Sequence, residues 1–577
     1  MSTRKMLCTL GRFDIPIIQL QPPFVVDLLD SNIALFGTSM SGKTTFLKTL
    51  IHILHKQYNE KQEQIFILDF GSALSEYREL PLVAAYFDNS NEEYVKRVFK
   101  IMDQILKHNI KELNGKNYRD SETNFIHTTL MIDNLNAFID EARYTTYQEK
   151  LAKLCREGLS KGITIVVTAT DTKGVGTYLG GFKQKIAYEM PQEKYQEIFT
   201  DKTGMIGNNP GHGFANVTVK PEGVTGTFRM NAPYEVQCAL PYREEKSQGK
   251  ADTKEMYRNK LDQKFGYSEN RYLKCVTKYQ TFPKELTREE YDRLRENAGI
   301  TDRESQKAVS VGLDYVDFEP VQVDFRKSHV IAIYGKKEFG KTNLLKLLLN
   351  GIADRTSEVR VVFLDDGRNQ LEKVYEELNV KTDAVLMNRY QEMEMELNDG
   401  TVCSKKLSPL QQFYFYLNQH YVNIDKRFMA GIYGLSRELS REYSKIPDCK
   451  ANHPPFTIFV IQSKLVYLNS NENKFFMNAI LPQMAAVAEE QGFCFVFSDV
   501  AKITDGEQNA FFNNVISDAF LLDNIAEFAG ERGQKTIFGN MDVKTLKEDY
   551  ARCELGDGYY YDVEADRLLK LKFIKLG

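Results

Sequence analysis

Two stretches of this 577-residue chain carry the same strand–loop–helix pattern. Asn32-IALFGTSMSGKTTFLKTL-Ile51 and His329-VIAIYGKKEFGKTNLLKLL-Leu349 each run from an apolar strand, through a loop flanked by glycines, into a segment with helical apolar spacing. Both loops satisfy GxxxxGK[ST]: Gly37-Thr38-Ser39-Met40-Ser41-Gly42-Lys43-Thr44 and Gly335-Lys336-Lys337-Glu338-Phe339-Gly340-Lys341-Thr342. The glycines let the backbone wrap an anion so that successive N–H groups point inward, and the following helix adds its positive N-terminal end. Each loop, with the next residue (Thr45 or Asn343), therefore predicts a nucleotide-phosphate site. Lys43 and Lys341 would reach the β- and γ-phosphates, and Thr44 and Thr342 would each offer a hydroxyl to Mg²⁺.

The duplication extends beyond the loops. Upstream, Thr9-Leu10-Gly11-Arg12-Phe13-Asp14 resembles Ser310-Val311-Gly312-Leu313-Asp314. Downstream, Ile65-FILDFGSAL-Ser75 matches Val359-RVVFLDDGRNQL-Glu372, Thr129-Leu130-Met131-Ile132-Asp133 matches Phe456-TIFVIQ-Ser463, and Gly162-ITIVVTA-Thr170 matches Gly492-FCFVFS-Asp499. A wider gap before the third matching strand of the later copy places an insertion within about Val380 to Asn452. Near-continuous runs of Val, Ile, Leu and Phe alternating with helical patterns indicate parallel sheets covered on both faces, so each copy reads as a doubly wound α/β module. The boundaries read from the chain are a first module at 1–242, a charged and partly ordered linker at 243–306, and a second module at 307–577.

A P-loop holds a triphosphate; splitting it also takes an acidic residue at the metal and a group that orients the attacking water. Asp133 ends an apolar strand and suits the first task, which makes Lys43 and Asp133 the expected catalytic pair and Thr44, Asp133 and Thr342 the expected metal contacts. Asn134 follows, an amide that cannot accept a proton. In the second copy the matching positions are Gln462 and Ser463, so both carboxylates are missing. The residues predict a first module that binds Mg-nucleotide and turns it over slowly, and a second that at most binds. Asp69 and Asp365 end neighbouring strands, where a metal role stands against the role of cap or turn former. Thr168, Thr170 and Ser498 end the next strand, where γ-phosphate sensing and ordinary strand-end hydrogen bonding are both open.

Lys plus Arg number 75 against 79 Asp plus Glu, a net charge of −4 with a pI near 6.2. That balance argues against a broad nucleic-acid surface, which binds by releasing counterions to clustered cations. Apolar runs such as Ile163–Ala169 are strand-length, far short of the roughly 20 residues that span a bilayer, and no apolar segment of signal-peptide type follows Met1. Eight cysteines in no CxxC pair read as free thiols in a reducing compartment. The eight histidines form no zinc spacing. Asp69-Phe70-Gly71 spells a kinase triplet without the glycine loop that should precede it. Phe413-Tyr414-Phe415-Tyr416 reads as core, with a peptide groove as the alternative.

Taken together these segments resemble the FtsK/SpoIIIE-type motor ATPases, and within them the C-terminal tandem modules of the type VII secretion ATPases (EssC/EccC). The resemblance rests on the entry segments before each P-loop, Leu68-Asp69-Phe70-Gly71-Ser72 followed by Leu80-Pro81-Leu82-Val83, Ile132-Asp133-Asn134, Arg156-Glu157-Gly158 leading into Gly162-Ile163, and Pro210-Gly211-His212-Gly213. It implies two tandem RecA/FtsK-like P-loop NTPase domains with ATP and Mg²⁺ as cofactors. It further implies a hexameric motor at the cytoplasmic face of the cell membrane, working with other type VII secretion components to export WXG100-type proteins. The last module would bind the substrate's export signal, and the chain would correspond to a C-terminal piece of a longer, membrane-anchored protein. The lost acid in the second module shifts the expectation from driving transport towards nucleotide-dependent regulation and recognition. Two other readings remain: a non-hydrolysing scaffold stabilised by ATP, and a DNA translocase, which the acidic pI disfavours.

Overall fold

The computed structural model describes residues 4–16, 19–89, 92–121, 125–204, 206–207, 209–221, 229–241, 279, 282–297, 307–335, 338–356, 358–365, 369–447, 455–462, 475–500, 515–522 and 553–576. They fall into two compact units, Met1–Thr281 and Phe282–Gly577. Lys336, Lys337, Ser463 and most of the linker expected at 243–306 lie outside the described residues. Of that linker, Tyr279 donates its N–H to the Ala84 carbonyl in the first unit (2.8 Å), and the helix Arg288–Asn297 belongs to the second.

The first unit holds ten strands: β1 (Leu7–Asp14), β2 (Pro23–Asp27), β3 (Ile33–Phe36), β4 (Glu63–Asp69), β5 (Val83–Asp88), β6 (His127–Asp133), β7 (Ile163–Ala169), β8 (Gln184–Ala187), β9 (His212–Asn216) and β10 (Pro233–Cys238). They form one sheet in the order β2-β1-β10-β9-β8-β3-β7-β6-β4-β5. The run from β5 to β8 is parallel, and β9, β10, β1 and β2 extend it antiparallel. Side chains alternate across a strand, and the burial follows. Ile65 and Ile67 of β4 join a core with Phe46, Leu47 and Leu50 of the helix Lys43–Gln57. Phe66 and Leu68, facing the other way, are as fully buried. A strand buried on both faces has no polar position to spare, which is why its sequence reads as a continuous apolar run.

In the second unit the strands are β11 (Leu286–Thr287), β12 (Ala308–Asp314), β13 (Pro320–Asp324), β14 (Val330–Tyr334), β15 (Val359–Leu364), β16 (Asp383–Met387), β17 (Gln391–Glu396), β18 (Val402–Leu407), β19 (Phe456–Gln462), β20 (Phe493–Val500), β21 (Asp518–Leu521), β22 (Asp557–Asp562) and β23 (Arg567–Lys575). The order β13-β12-β23-β22-β21-β14-β20-β19-β15-β16 repeats the first sheet strand for strand, with β11 added along β23. The chain is thus a pair of α/β modules on large, mostly parallel sheets.

Between β16 and β19, where the first unit has the helix Glu92–Leu113 between β5 and β6, the second unit holds a longer connection. It comprises the β17–β18 hairpin and the helices Pro409–His420, Lys426–Ile432 and Arg437–Lys445. Ser408 opens the first of these with a reciprocal cap: its hydroxyl accepts from the Gln411 N–H while the Gln411 side chain accepts from the Ser408 N–H. Phe413 and Tyr414 are fully buried, with the Phe413 ring edge-on to Phe459 of β19. The aromatic run is core. Among the described residues, no helix is long and apolar enough to cross a membrane.

Asn32 supports the start of β3 in the first sheet. Its amide donates to the carbonyls of Cys155 (3.1 Å) and Gly181 (2.9 Å), and its oxygen accepts from the Ile165 N–H of β7 (2.8 Å). The side chain is fully buried, so its removal leaves three backbone groups without a partner. Asn32→Ala is expected to destabilise the first unit by about 3 kcal/mol, measured as a lower denaturant midpoint. Unchanged stability would show that water takes over those bonds.

Candidate nucleotide site

Parallel pairing brings the chemistry to one edge. Asp69 pairs with Asp133 at the ends of β4 and β6, Ile132 pairs with Val167 one step back on β7, and Phe36 of β3 pairs with Ala169. The loop Gly37–Gly42 leaves β3 beside that row. Its first residues are anchored to strand ends, Gly37 N–H donating to the Ala169 carbonyl (3.2 Å) and Thr38 N–H to the Glu189 carbonyl (2.9 Å). Ser39 precedes Met40, which sits at φ 64° at the loop tip, 91% exposed. Gly42 takes φ 101° as the helix cap, a conformation that disfavours any side chain. The first turn of the helix, with Lys43, Thr44 and Thr45, leaves N–H groups unsatisfied by geometry and therefore available to an anion.

Sequence reasoning used Pro210-Gly211-His212-Gly213 only as a resemblance marker. In the structure this turn buttresses the loop: Gly211 N–H donates to the Ser41 carbonyl (2.8 Å), and a Cβ built on Gly42 would meet the Gly211 nitrogen at 2.9 Å.

Lys43 is buried and folds back on the loop, its Nζ donating to the carbonyls of Gly37 (2.6 Å) and Thr38 (2.7 Å). Burial lowers its pKa, and the nearby Asp133 opposes that shift. Asp133, also buried, accepts from Thr44 Oγ1 at Oδ2 (3.2 Å) and from Thr168 Oγ1 at Oδ1 (2.5 Å). Burial pushes its carboxyl up, the two hydroxyls and Lys43 pull it down, and Asp69 adds to the rise. A buried carboxylate beside a P-loop hydroxyl is an oxygen donor set that suits Mg²⁺.

Thr168 has a second bond, accepting from the Asn134 N–H (2.9 Å), and Asn134 itself sits in the left-handed region at φ 67°. Asp69 is spent locally. It accepts from the N–H groups of Gly71 (3.0 Å) and Leu74 (2.7 Å) and from the Tyr86 hydroxyl (2.9 Å), which is the turn-former role. Sequence reasoning missed Asn136. Its oxygen accepts from the N–H groups of Thr170 (2.8 Å) and Asp171 (3.2 Å), and its amide donates to the carbonyls of Asp171 and Lys173 (3.2 Å each). It thereby shapes the loop that follows β7, and an Asn three residues past a strand-end Asp carries no signal of that reach.

The second site repeats the frame with other contents. Gly340 takes φ 91° and Glu338 φ 72°, as Gly42 and Met40 do, and Phe339 lies between them. Lys341 Nζ donates to the Gly335 carbonyl (2.6 Å). Gln462 ends β19 where Asp133 ends β6, paired with Ser498 of β20. Its amide donates to Gln370 (2.6 Å). Asp365, fully buried, accepts from the Leu371 N–H (2.8 Å). Thr342 is exposed. Nothing described lies within 4 Å of a Cβ built on Gly340, so the buttress of the first loop has no equivalent there. The helix is held instead by Asn343, whose amide donates to the Ile574 carbonyl (3.0 Å) and whose oxygen accepts from the Leu576 N–H (3.0 Å).

Comparison with known proteins finds relatives of the chain and of its fold. Residues 9–173 match the FtsK/SpoIIIE family. Type VII secretion system protein EssC of Staphylococcus aureus (strain MRSA252) is 24% identical over 376 residues, covering 63% of this chain and 24% of that protein. ESX secretion system protein EccC of Geobacillus thermodenitrificans (strain NG80-2) is 25% identical over 353 residues, covering 59% and 22%. This chain therefore aligns with less than a quarter of the length of these relatives. Two solved structures share the fold over 99% of the chain at a TM-score of 0.60. They are EssC (ATPases 2 and 3) from Geobacillus thermodenitrificans, at 19% identity and 96% coverage of that chain, and Thermomonospora curvata EccC (ATPases 2 and 3) in complex with a signal sequence peptide, at 16% and 93%. Residues 9–173 thus match the FtsK/SpoIIIE family, and the chain is similar to the type VII secretion proteins EssC and EccC and shares the fold of their ATPases 2 and 3.

Proposed function

We propose that this chain is a pair of ATP-binding modules of a type VII secretion motor, the first holding Mg-ATP and turning it over slowly, the second hydrolysing little or nothing. The observation that carries the reading is the junction of Thr44, Asp133 and Thr168 beside the first P-loop, set against its loss around Gln462 in the second. When bound, Mg²⁺ would offset charge on the phosphates; Thr44 and Asp133 are the residues that would hold it. Lys43 would leave the carbonyls of Gly37 and Thr38 for the β- and γ-phosphates. Asn134 and Thr168 would orient water without accepting its proton, which keeps turnover low.

In this reading the modules recognise WXG100-type proteins and help export them. The second module would read an export signal, within a hexameric ring at the cytoplasmic face of the cell membrane together with other type VII components. Homology to EssC and EccC supports it, as does the signal-peptide complex of the Thermomonospora curvata relative. A second reading, ATP as a structural ligand of a non-hydrolysing scaffold, is favoured by Asn134 standing where a general base would stand. Binding to the native state alone stabilises by about 3–4 kcal/mol at hundreds to a thousand times Kd.

Nucleotide content after denaturing extraction, measured with phosphate release, separates the two. Slow release that Lys43→Ala abolishes and Lys341→Ala leaves intact is the expected result for a motor; retained ATP with no release supports the scaffold.

Asp133→Asn is expected to act in opposite senses with and without ligand. Burial raises the folded carboxyl above its unfolded value. The folded state then binds more protons over the window above the ordinary 3.8, and stability falls as pH rises through it. The amide removes that cost, so the ligand-free variant should unfold at a higher midpoint at neutral pH and lose the acid-side slope. The added stabilisation from Mg-ATP should shrink. Thermal unfolding across pH, with and without Mg-ATP, reads both signs; a variant destabilised at neutral pH without ligand would refute the assignment.

A further inference from the structure

The Asp69-Phe70-Gly71 turn and the Thr168 hydroxyl meet at one group, the carboxylate of Asp133. The hydrogen-bond directions there are forced. An N–H can only donate, so Thr168 Oγ1 accepts from Asn134 (2.9 Å) and gives its single proton to Asp133 Oδ1 (2.5 Å). Its second lone pair stays open to water. Thr168 is fully buried on β7, and the Asn134 N–H reaches it from a backbone at φ 67°, a left-handed conformation that Asn tolerates better than most residues. Oδ1 is thereby claimed by the fold.

Oδ2 accepts from Thr44, the P-loop hydroxyl (3.2 Å), and keeps a lone pair. Gly71 stands beside it: a Cβ built there would lie 3.1 Å from Oδ2 and 3.6 Å from Asp69 Oδ1. Gly71 is exposed and its φ lies outside the left-handed region, so its missing side chain matters as space and not as backbone freedom. The rest of the triplet fixes the turn. Asp69 accepts from the N–H groups of Gly71 (3.0 Å) and Leu74 (2.7 Å). Phe70 is buried against Phe138 and Tyr144, and its N–H donates to the Asp133 carbonyl (3.1 Å).

We infer that Thr168 and Gly71 are positioning residues of the first site: Thr168 holds Oδ1 of Asp133 and Gly71 leaves room beside Oδ2, so that Oδ2, next to Thr44, is the oxygen presented to a divalent cation. The inference rests on reading Gly37–Thr44 as a Mg-nucleotide loop. A ligating carboxylate that can rotate spends part of its affinity on being ordered, and groups that orient a ligand without touching the metal typically change metal affinity about ten- to a hundredfold. The turn of Asp69, Phe70 and Gly71 thus acts on the site through the shape it leaves, and Asn134 acts through its backbone N–H.

Equilibrium dialysis of ATP against the full chain carrying Lys341→Ala tests this, in excess Mg²⁺ and in excess EDTA. The ratio of the two affinities reads what the metal contributes at the first site. Thr168→Val keeps the side-chain shape and removes the donor, Thr168→Ser restores a hydroxyl, and Gly71→Ala adds one methyl group beside Oδ2. The expected result is that Thr168→Val and Gly71→Ala each cut the ratio about tenfold, that Thr168→Ser stays within about threefold of the parent, and that the affinity in EDTA moves less than about twofold throughout. Equal losses in both buffers would mark the two residues as supports of the fold alone and overturn the inference. An unchanged ratio in either Thr168→Val or Gly71→Ala would overturn it while leaving the loop a Mg-nucleotide site. A parent chain that binds no ATP, or binds it equally in both buffers, would remove the reading of the loop and the inference with it.

Discussion

In-register parallel pairing of β4, β6 and β7 is the constraint on which the site depends. A strand presents its terminal side chain at a place set by the ladder, so Asp69, Asp133 and Thr168 arrive in one row. β3 lies next to β7 and delivers the P-loop to the end of that row. The loop emerges where β3 has β7 on one side and β8 on the other, at the carboxyl ends of the strands, the place where open α/β sheets bind ligands. A slip of one residue in β6 would turn Asp133 to the other face and remove the carboxylate from Thr44.

The electrostatics at that row are held in tension. Lys43 and Asp133 are both buried, and burial disfavours the charged form of each while their mutual field favours it. Two hydroxyls on Asp133 and two carbonyls on Lys43 satisfy their hydrogen-bonding groups, so neither is an orphan. These are the groups a phosphate and its metal would rearrange, so the binding surface is preorganised in backbone and adjustable in two side chains.

The two units show how one architecture diverges at a few positions. Strand order is identical across ten strands, yet the loop is braced by Gly211 in the first, and the helix it opens is held by Asn343 in the second. The first brace crowds Gly42. The second ties the helix start to the end of β23, leaving space around Gly340. The longer connection between β16 and β19 holds a hairpin and three helices, and its aromatic residues extend the core.

The matching segments legible along the chain became β1 and β12, β3 and β14, β4 and β15, β6 and β19, β7 and β20. They are legible because a strand buried on both faces must be apolar throughout, and a phosphate loop must carry its glycines and lysine at set spacing. The strands β8, β9 and β10 gave no such signal: β8 is only the four residues Gln184–Ala187, β9 only the five residues His212–Asn216, and β10 carries Glu235 half-exposed and Gln237 exposed. Sequence alone therefore settled the duplication, the α/β class and the loss of the second carboxylate, because each is a property of residue type and local spacing. Tertiary structure alone decided that Asp69 is spent on its own turn, that Gly211 braces the first loop, that Asn136 shapes the loop after β7 and that Asn343 grips the end of β23. The last three of those roles join residues between 34 and 233 positions apart, and hydrogen-bond partners at such distances are set by how the strands pair, which no local pattern records.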